Sequence, residues 1–446
     1  MKLLIVGGGG FRVPQVLSVL SNPQLPLNLT EICLYDVSNA RLQTMRNVVK
    51  YLGYDHLPPL TLTTDLQEAV KGSDFVFSAM RIGGTCGRVI DEHVALEHGV
   101  LGQETVGLGG YAYAFRTIPE ALKLAAALRD FAPNAWVINF TNPAGIITQA
   151  MRTVHPRVVG ICDTPIGLVR RVAHIAGYDE NQVDYDYVGL NHLGWLRSIT
   201  VNGEDHLPAI IADREKLIRL EEARSVGVDW IQAIGKIPNE YLFYYYRNRE
   251  AVESITGSRT RGEFLDSQQN DFYQNAHEFP SEAGKLWQDA HNEREATYMA
   301  ESRKEGETRT EEDMSSGGYE HVALDLMLAL ATGTPTRMIL DVANNDGEGI
   351  LIPELREDAV VEVPCDVDSS GVHPRVVARI DGPELGLITT VKACEELVIE
   401  ATLRADLQLA WRALASHPLV DSVNVARDIL SEYCTKNPSI AQVFSK

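Results

Sequence analysis

Four consecutive glycines, Gly7 to Gly10, directly follow the apolar run Lys2 to Val6 and precede a stretch with helical spacing. Glycine has no Cβ, so a turn built from it lets backbone approach a pyrophosphate at the N-terminus of the next helix. The third glycine of that dinucleotide-binding pattern is missing, and Phe11 and Arg12 stand in its place. Asp36 ends the following apolar run, 26 residues beyond the last glycine. A carboxylate there accepts both hydroxyls of the NAD ribose and repels the 2′-phosphate of NADP. Alone, the turn also reads as a tight corner and Asp36 as a solvated strand end. Together they point to NAD, with Gly7, Gly8, Gly9, Gly10, Phe11, Arg12 and Asp36 as its contacts.

Two further segments end strand-like runs with residues that suit a metal. Gly160-Ile161-Cys162-Asp163-Thr164-Pro165 carries a thiol, and Gly189-Leu190-Asn191-His192 carries an imidazole 30 residues later. Soft thiolate and borderline imidazole suit one divalent transition ion. The same pair also reads as a buried thiol and a structural histidine, the commoner fate of each. Asn139-Phe140-Thr141-Asn142-Pro143-Ala144 follows another apolar run. Proline holds Asn142 extended, which aims its amide outward; the alternative is an Asx turn.

These residues require a frame that gathers strand ends. Apolar runs at Lys2 to Val6, Glu31 to Tyr35, Phe75 to Ser78, Ala135 to Asn139 and Val158 to Ile161 alternate with helical stripes. Val13, Val16, Leu17 and Leu20 form one stripe; Leu122, Leu124, Ala125 and Leu128 form another. This alternation predicts an α/β fold with a Rossmann-type, doubly wound parallel sheet over residues 1–165. Beyond it, helical stretches at Val322 to Ala331 and Glu396 to Leu414 and a strand from Ala359 to Val367 predict a larger C-terminal α+β domain, 166–446. That domain is expected to close over the first and complete the site, as in lactate and malate dehydrogenases.

Composition sets the outer bounds. The 446 residues are 45% hydrophobic and 23% charged, which excludes disordered and fibrous classes. Single cores stop growing near roughly 250–300 residues, so two domains are expected. Lys plus Arg is 40 against 61 Asp plus Glu, a net charge of −21. Nucleic acid and anionic membrane are therefore disfavoured as partners, and a small molecule is expected. No apolar run reaches the ~18 residues of a membrane span, and the N-terminal run meets glycines with no small-residue cleavage site, so a cytoplasmic address is expected. Cys33, Cys86, Cys162, Cys365, Cys394 and Cys434 lack paired spacing and read as reduced thiols. The charged run Glu301 to Asp313 reads as a solvated segment rather than a site.

Several blocks together resemble glycoside hydrolase family 4. They are Gly7 to Gly10, Arg88 with Asp91-Glu92, Gly102-Gln103-Glu104-Thr105, Gly109-Gly110, Asn139 to Ala144, Cys162 with Pro165-Ile166-Gly167, and Gly189 to His192. They keep the family's order over about the first 200 residues, and Ile237-Pro238-Asn239-Glu240-Tyr241 extends the match. The resemblance implies a hydrolase of 6-phosphoglycosides that uses NAD and a divalent metal, usually Mn²⁺, outside the two-carboxylate scheme. NAD⁺ would take hydride from C3 and acidify the C2 proton; a base removes that proton, the aglycone leaves C1, water adds, and hydride returns. The metal would act as a Lewis acid on the C2 and C3 oxygens. By resemblance Cys162 and His192 are its protein ligands and Tyr241 is the C2 base. Tyr244, Tyr245 and Tyr246 beside it also read as an aromatic core cluster. A homodimer or homotetramer is expected.

Two departures bear on specificity. Asp163, after the metal cysteine, is Asp in the family's α-glycosidases, where it resembles the acid that protonates the leaving oxygen, and Asn in its β-glycosidases. Arg81-Ile82-Gly83-Gly84 and the stretch through Gly102 to Gly107 resemble the 6-phospho-β-glucosidase branch. The longer match favours β, with 6-phospho-α-glucosidase as the alternative. Phe11-Arg12-Val13 stands where the family carries small hydroxylated residues. For the substrate phosphate and hydroxyls, Arg88, Arg259 and Arg261 are candidates because a guanidinium fork suits an oxyanion, with Asn142 and Asn191 beside them. A different class, an NAD-dependent 2-hydroxyacid dehydrogenase, would share the layout but would accumulate NADH.

Overall fold

The computed structural model describes residues 1–299, 302–303, 318–345 and 349–445. The run 301–313 therefore lies outside the described residues apart from Ser302 and Arg303. One 13-stranded mixed sheet organises the rest. Its first half alternates strand and helix: β1 (Lys2–Val6), α1 (Val13–Leu20), β2 (Glu31–Tyr35), α2 (Asn39–Leu52), β3 (Leu60–Thr63), α3 (Leu66–Val70), β4 (Phe75–Ser78), α4 (Gly84–Glu97), α5 (Gly107–Phe131), β5 (Trp136–Asn139), α6 (Ala144–Arg152), β6 (Val158–Gly160) and α7 (Thr164–Ala176). These six strands are parallel in the order β3-β2-β1-β4-β5-β6. That is the doubly wound order with its switch between β1 and β4, where ligand crevices open. Strand β3 escaped the sequence reading because Leu60-Thr61-Leu62-Thr63 is a half-buried edge with no apolar run.

Period-two alternation divides the core between the two faces of the sheet. Leu3 and Ile5 pack with Val16 and Leu17 of α1 and Leu42 and Met45 of α2, while Leu4 and Val6 pack with Phe115 and Leu124 of α5 and Ile147 of α6. Each side chain so buried stabilises the fold by about 1.5–3 kcal/mol, which sets these strands firmly.

The second half does not build a sheet of its own. Strands β7 (Asp184–Leu190), β8 (Leu193–Val201), β9 (Glu204–Asp205), β10 (Ile237–Pro238), β11 (Thr336–Ala343), β12 (Val360–Asp368) and β13 (Gly371–Pro374) extend the first sheet antiparallel beyond β6. The predicted helix Glu396 to Leu414 is two helices, Gly382–Arg404 and Leu407–Ser416. Ala405 takes φ +55° between them, and the Asp406 carboxylate caps the second by accepting from the backbone of Gln408 and Leu409. The final helices pack on α4 and α5 of the first half.

The two halves of the sheet meet at single register pairs. Asp341 of β11 opposes Gly160 of β6 on one side and Glu362 of β12 on the other, and Glu362 opposes Gly189 of β7. A Cβ on Gly160 would lie 2.6 Å from both Asp341 Oδ2 and Thr148 Oγ1. Gly160→Ala is therefore expected to force the strands apart and destabilise the protein by about 1–3 kcal/mol, read as a lowered denaturant midpoint. An unchanged midpoint would show that the junction yields freely.

Candidate active site

The carboxyl ends of β1, β4, β5 and β6 open into a cavity of about 520 Å³, closed from the other side by residues of the second half. Its size suits a cofactor and a small substrate. Gly7, Gly10, Phe11, Arg12, Arg88, Asn142, Cys162, Asp163, His192, Tyr241 and Arg261 all line it. Thus most of the residues singled out from sequence converge, although they span 254 positions of chain.

The glycine turn works by close approach. Gly7 takes φ +85°, and a Cβ on it would fall 2.6 Å from the Ala79 carbonyl oxygen. Gly8 and Gly9 face the other way, tight against Leu34 and Arg41. Asp36 does not line the cavity; its carboxylate accepts from the backbone N–H of Gly9 at 3.1 Å and of Ser38 at 2.9 Å, which fixes the turn. Phe11 lines the cavity but is core, edge-on to Phe272 at 5.4 Å, with its carbonyl accepting from Trp287 Nε1. Arg12, where the third glycine was missing, has its guanidinium 4.7 Å from the Tyr319 ring and 5.0 Å from Phe140.

Cys162 and His192 are both buried. The thiol lies 3.4 Å from Thr164 Oγ1, and that hydroxyl also accepts from Asn239 Nδ2 at 2.8 Å. Burial, then Glu362 and Asp163, push the thiol well above its usual range. His192 sits in the turn between β7 and β8 at φ +64°, a strained conformation for a residue with a Cβ. Its Nδ1 is engaged by Thr105 Oγ1 at 2.9 Å, which leaves Nε2 for another partner. Burial holds the imidazole down to about 3 against the pull of Glu104, so it stays neutral and able to ligate. A thiol and a neutral imidazole, each oriented by a hydroxyl, fit a divalent transition ion that keeps positions open for oxygen ligands. Among the described residues no group of three or more His, Cys, Asp or Glu gathers in metal-binding geometry.

The Tyr241 ring stacks on His192 with centroids 3.7 Å apart and planes 10° apart. Asn239 places it: its side-chain oxygen accepts from the Tyr241 backbone N–H while its amide donates to Thr164. Asp163 is half-buried at the start of α7 and makes no side-chain hydrogen bond among the described residues.

Cations dominate one wall. Arg88 donates to Glu92 and Glu104, and Arg81 also pairs with Glu104. Arg261 donates to the carbonyls of Arg294 and Thr297. Sequence reasoning missed Arg294, which no motif marks. Among the described residues neither its guanidinium nor that of Arg12 has a carboxylate within ion-pair distance. Burial, then Arg12, Arg261 and Arg81, push Arg294 well below its usual value, the mark of a cation that lacks an anion. Two sequence candidates fall elsewhere. Arg259 is exposed outside the cavity, over the Phe264 ring, because it precedes the helix Arg261–Glu278 capped by Thr260. Asn191 does not line the cavity and donates instead to Glu362.

Two family models match the chain: Family 4 glycosyl hydrolase over residues 2–178 and Family 4 glycosyl hydrolase C-terminal domain over 187–420. The chain belongs to glycoside hydrolase family 4. Within that family it is 32% identical to a phospho-α-glucosidase of Clostridium acetobutylicum, covering 98% of this chain and 97% of that one. The structure of a 6-phospho-β-glucosidase from Thermotoga maritima with manganese, NAD⁺ and glucose-6-phosphate is 28% identical over 98% of both chains, with TM-score 0.81. That of a 6-phospho-α-glucosidase from gut microorganisms with NAD and Mn²⁺ is 26% identical over 98% of both chains, with TM-score 0.80. Among the described residues of this family 4 chain, no helix is long and apolar enough to cross a membrane.

Glu104 sets a pH dependence. Burial opposes its charge, but Arg81 and Arg88 hold its carboxyl well below the ordinary 4.5. A depressed carboxyl contributes stability above its unfolded value and loses it as pH falls toward the folded one. Glu104→Gln is therefore expected to be less stable than the parent at pH 7, with a shallower further loss below about pH 4.5, read as urea midpoint against pH. Parallel curves for the two proteins would exclude this role.

Proposed function

We propose that this protein hydrolyses 6-phosphoglucosides with NAD and a divalent metal, Mn²⁺ by preference, through oxidation at C3 and elimination across C1 and C2. The observation that carries the reading is one cavity holding both the Cys162 and His192 pair and two arginines, Arg12 and Arg294, that have no carboxylate within ion-pair distance among the described residues. A phosphorylated ligand supplies the missing anion. Residues 1–165 would carry the cofactor at the Gly7 turn, and 166–446 would complete the metal and substrate site. Association into two or four copies belongs to the same reading.

When bound, NAD⁺ supplies a hydride acceptor for C3 and the metal a Lewis acid beside the sugar oxygens. Cys162 and His192 would hold the metal. Tyr241, whose ring stacks on that of His192, would take the C2 proton. Arg88, Arg261 and Asn142 orient hydroxyls and phosphate from the cavity wall. The buried walls exclude water until the aglycone has left.

On the anomer, the cavity favours α over the β expected from the longer sequence match. Asp163 presents a carboxyl with no hydrogen-bonding partner among the described residues, as an acid for the leaving oxygen requires. The β reading rests on Arg81 to Gly84 and Gly102 to Gly107. Paired α- and β-linked nitrophenyl 6-phosphoglucosides separate the two. Faster α turnover, cut about 10²-fold or more in Asp163→Asn, is expected. Faster β turnover indifferent to that substitution would establish the β reading.

The metal is tested without turnover. Cys162→Ser is expected to retain its circular dichroism spectrum but to lose calorimetric Mn²⁺ binding by about 10-fold or more. Unaltered Mn²⁺ affinity would remove Cys162 from the ligand set.

A further inference from the structure

From Tyr241 the hydrogen bonds continue along the cavity to two more of its lining residues. Tyr241 Oη lies 3.0 Å from Tyr298 Oη, and Tyr298 Oη donates to Glu240 Oε1 at 2.9 Å. A phenol has one proton. When Glu240 is ionised, Tyr298 gives its own proton to the carboxylate, so Tyr241 donates to Tyr298 and keeps its lone pairs for the substrate side. Glu240 is 5% exposed and lines the cavity together with Tyr298, so its carboxyl is nearly dry yet stands within the site. We propose that Tyr298 and Glu240 form a proton relay that makes Tyr241 a base, with Glu240 as the terminal acceptor of the proton taken from C2.

The step balances within the chain. As Tyr241 Oη gains the C2 proton, its hydroxyl proton passes to Tyr298 Oη and the Tyr298 proton passes to Glu240. Each phenol loses one proton and gains one. The carboxylate becomes a carboxylic acid, and the electron pair of the C–H bond stays on the sugar to expel the aglycone. Once the aglycone has left, the two phenols and the carboxyl, all lining the cavity, exchange their protons with solvent, and the chain run in reverse protonates C2 when water has added. The surroundings match this task. Burial, then Glu221 and Glu222, raise Glu240 to about 8 against the pull of Arg171, which makes it a stronger proton acceptor than an ordinary carboxylate, while burial also raises Tyr241 and Tyr298 well above the usual phenol value. Arg171 is itself paired with Glu222. On the cavity side Asp163 is a further charged group that acts on Tyr298.

The inference rests on the reading of Tyr241 as the C2 base, so the test carries Tyr241→Phe as its control. The protein loaded with NAD⁺ and Mn²⁺ is given the nitrophenyl 6-phosphoglucoside it turns over, in D₂O. Deuterium entry at C2 is followed together with NADH absorbance. Glu240→Gln and Tyr298→Phe are each expected to slow C2 exchange by about 10²-fold or more while C3 oxidation and KM stay within about threefold. A structural role would move all three together. Activity of the parent should rise with pH through about 8 as Glu240 ionises, a limb absent from Glu240→Gln. Difference infrared spectra should show a buried carboxylic acid that titrates over the same range and vanishes in that variant. If both variants exchange C2 at the parental rate while Tyr241→Phe does not, the relay is overturned and the base stands. If Tyr241→Phe also exchanges normally, both are overturned.

Discussion

The site depends on one row of residues crossing four strands. Gly160, Asp341, Glu362 and Gly189 oppose one another in sequence across β6, β11, β12 and β7. Cys162 follows this row by two residues and His192 by three, so the distance between thiol and imidazole is set by the register of the sheet. The row is chemically costly. Asp341 and Glu362 are both 1% exposed, and burial raises Asp341 to about 7 and Glu362 well above its usual range. Lys392, itself buried, opposes the rise at Asp341, and Tyr187 and Asn191 donate to Glu362. Through Asn191 the Glu362 carboxyl also restrains the turn that carries His192. A structure that keeps two acids in its core beside Cys162 and His192 is accepting instability for placement, the exchange expected at functional sites.

The electrostatics of the cavity invert those of the molecule. A net charge of −21 would repel a phosphorylated substrate at long range. Inside, Arg12, Arg81, Arg88, Arg261 and Arg294 line the cavity wall, and among the described residues Glu104 pairs with two of them, Arg81 and Arg88. Low exposure strengthens local interactions at the expense of distant screened ones, so the wall, not the net charge, decides what binds. The Arg12 guanidinium lies against the stacked pair of Phe140 and Tyr319, which holds it without neutralising it.

The parallel half of the fold was legible because its strands are continuous apolar runs buried on both faces, as at Leu3 to Val6. The edge strand β3 was not, since half its residues meet solvent, nor was the break at Ala405, where a left-handed residue interrupts an unbroken helical pattern. Asp163, Cys162, His192 and Tyr241 were found by motif and do share the cavity. Arg294 and Tyr298 were invisible: each lies in or just after an ordinary helix, Ala283–Ala296, and reaches the site only through tertiary packing. Arg259 failed for the opposite reason. Its local context resembled that of Arg261, but Thr260 caps the helix between them, and one residue of helical rotation sends the two side chains apart.

Tyr241 illustrates how a short element can be held accurately. It belongs to a three-residue 3₁₀ turn, Glu240–Leu242, too short to fix its own orientation. Asn239 supplies the constraint, 1% exposed, with its backbone N–H donated to the Gly194 carbonyl, its oxygen accepting from Tyr241 and its amide donated to Thr164. One side chain thereby ties the base to the hydroxyl beside Cys162 and to the strand that begins after His192. Loss of that amide would free the tyrosine from thiol and imidazole at once, and a displacement near 1 Å at a reacting atom costs about 10²-fold in rate. The same turn puts Glu240 and Tyr241 in adjacent positions, and both line the cavity, so the constraint that places the phenol places the carboxyl as well. On the proposed reading, one buried amide therefore positions both the base and its proton acceptor.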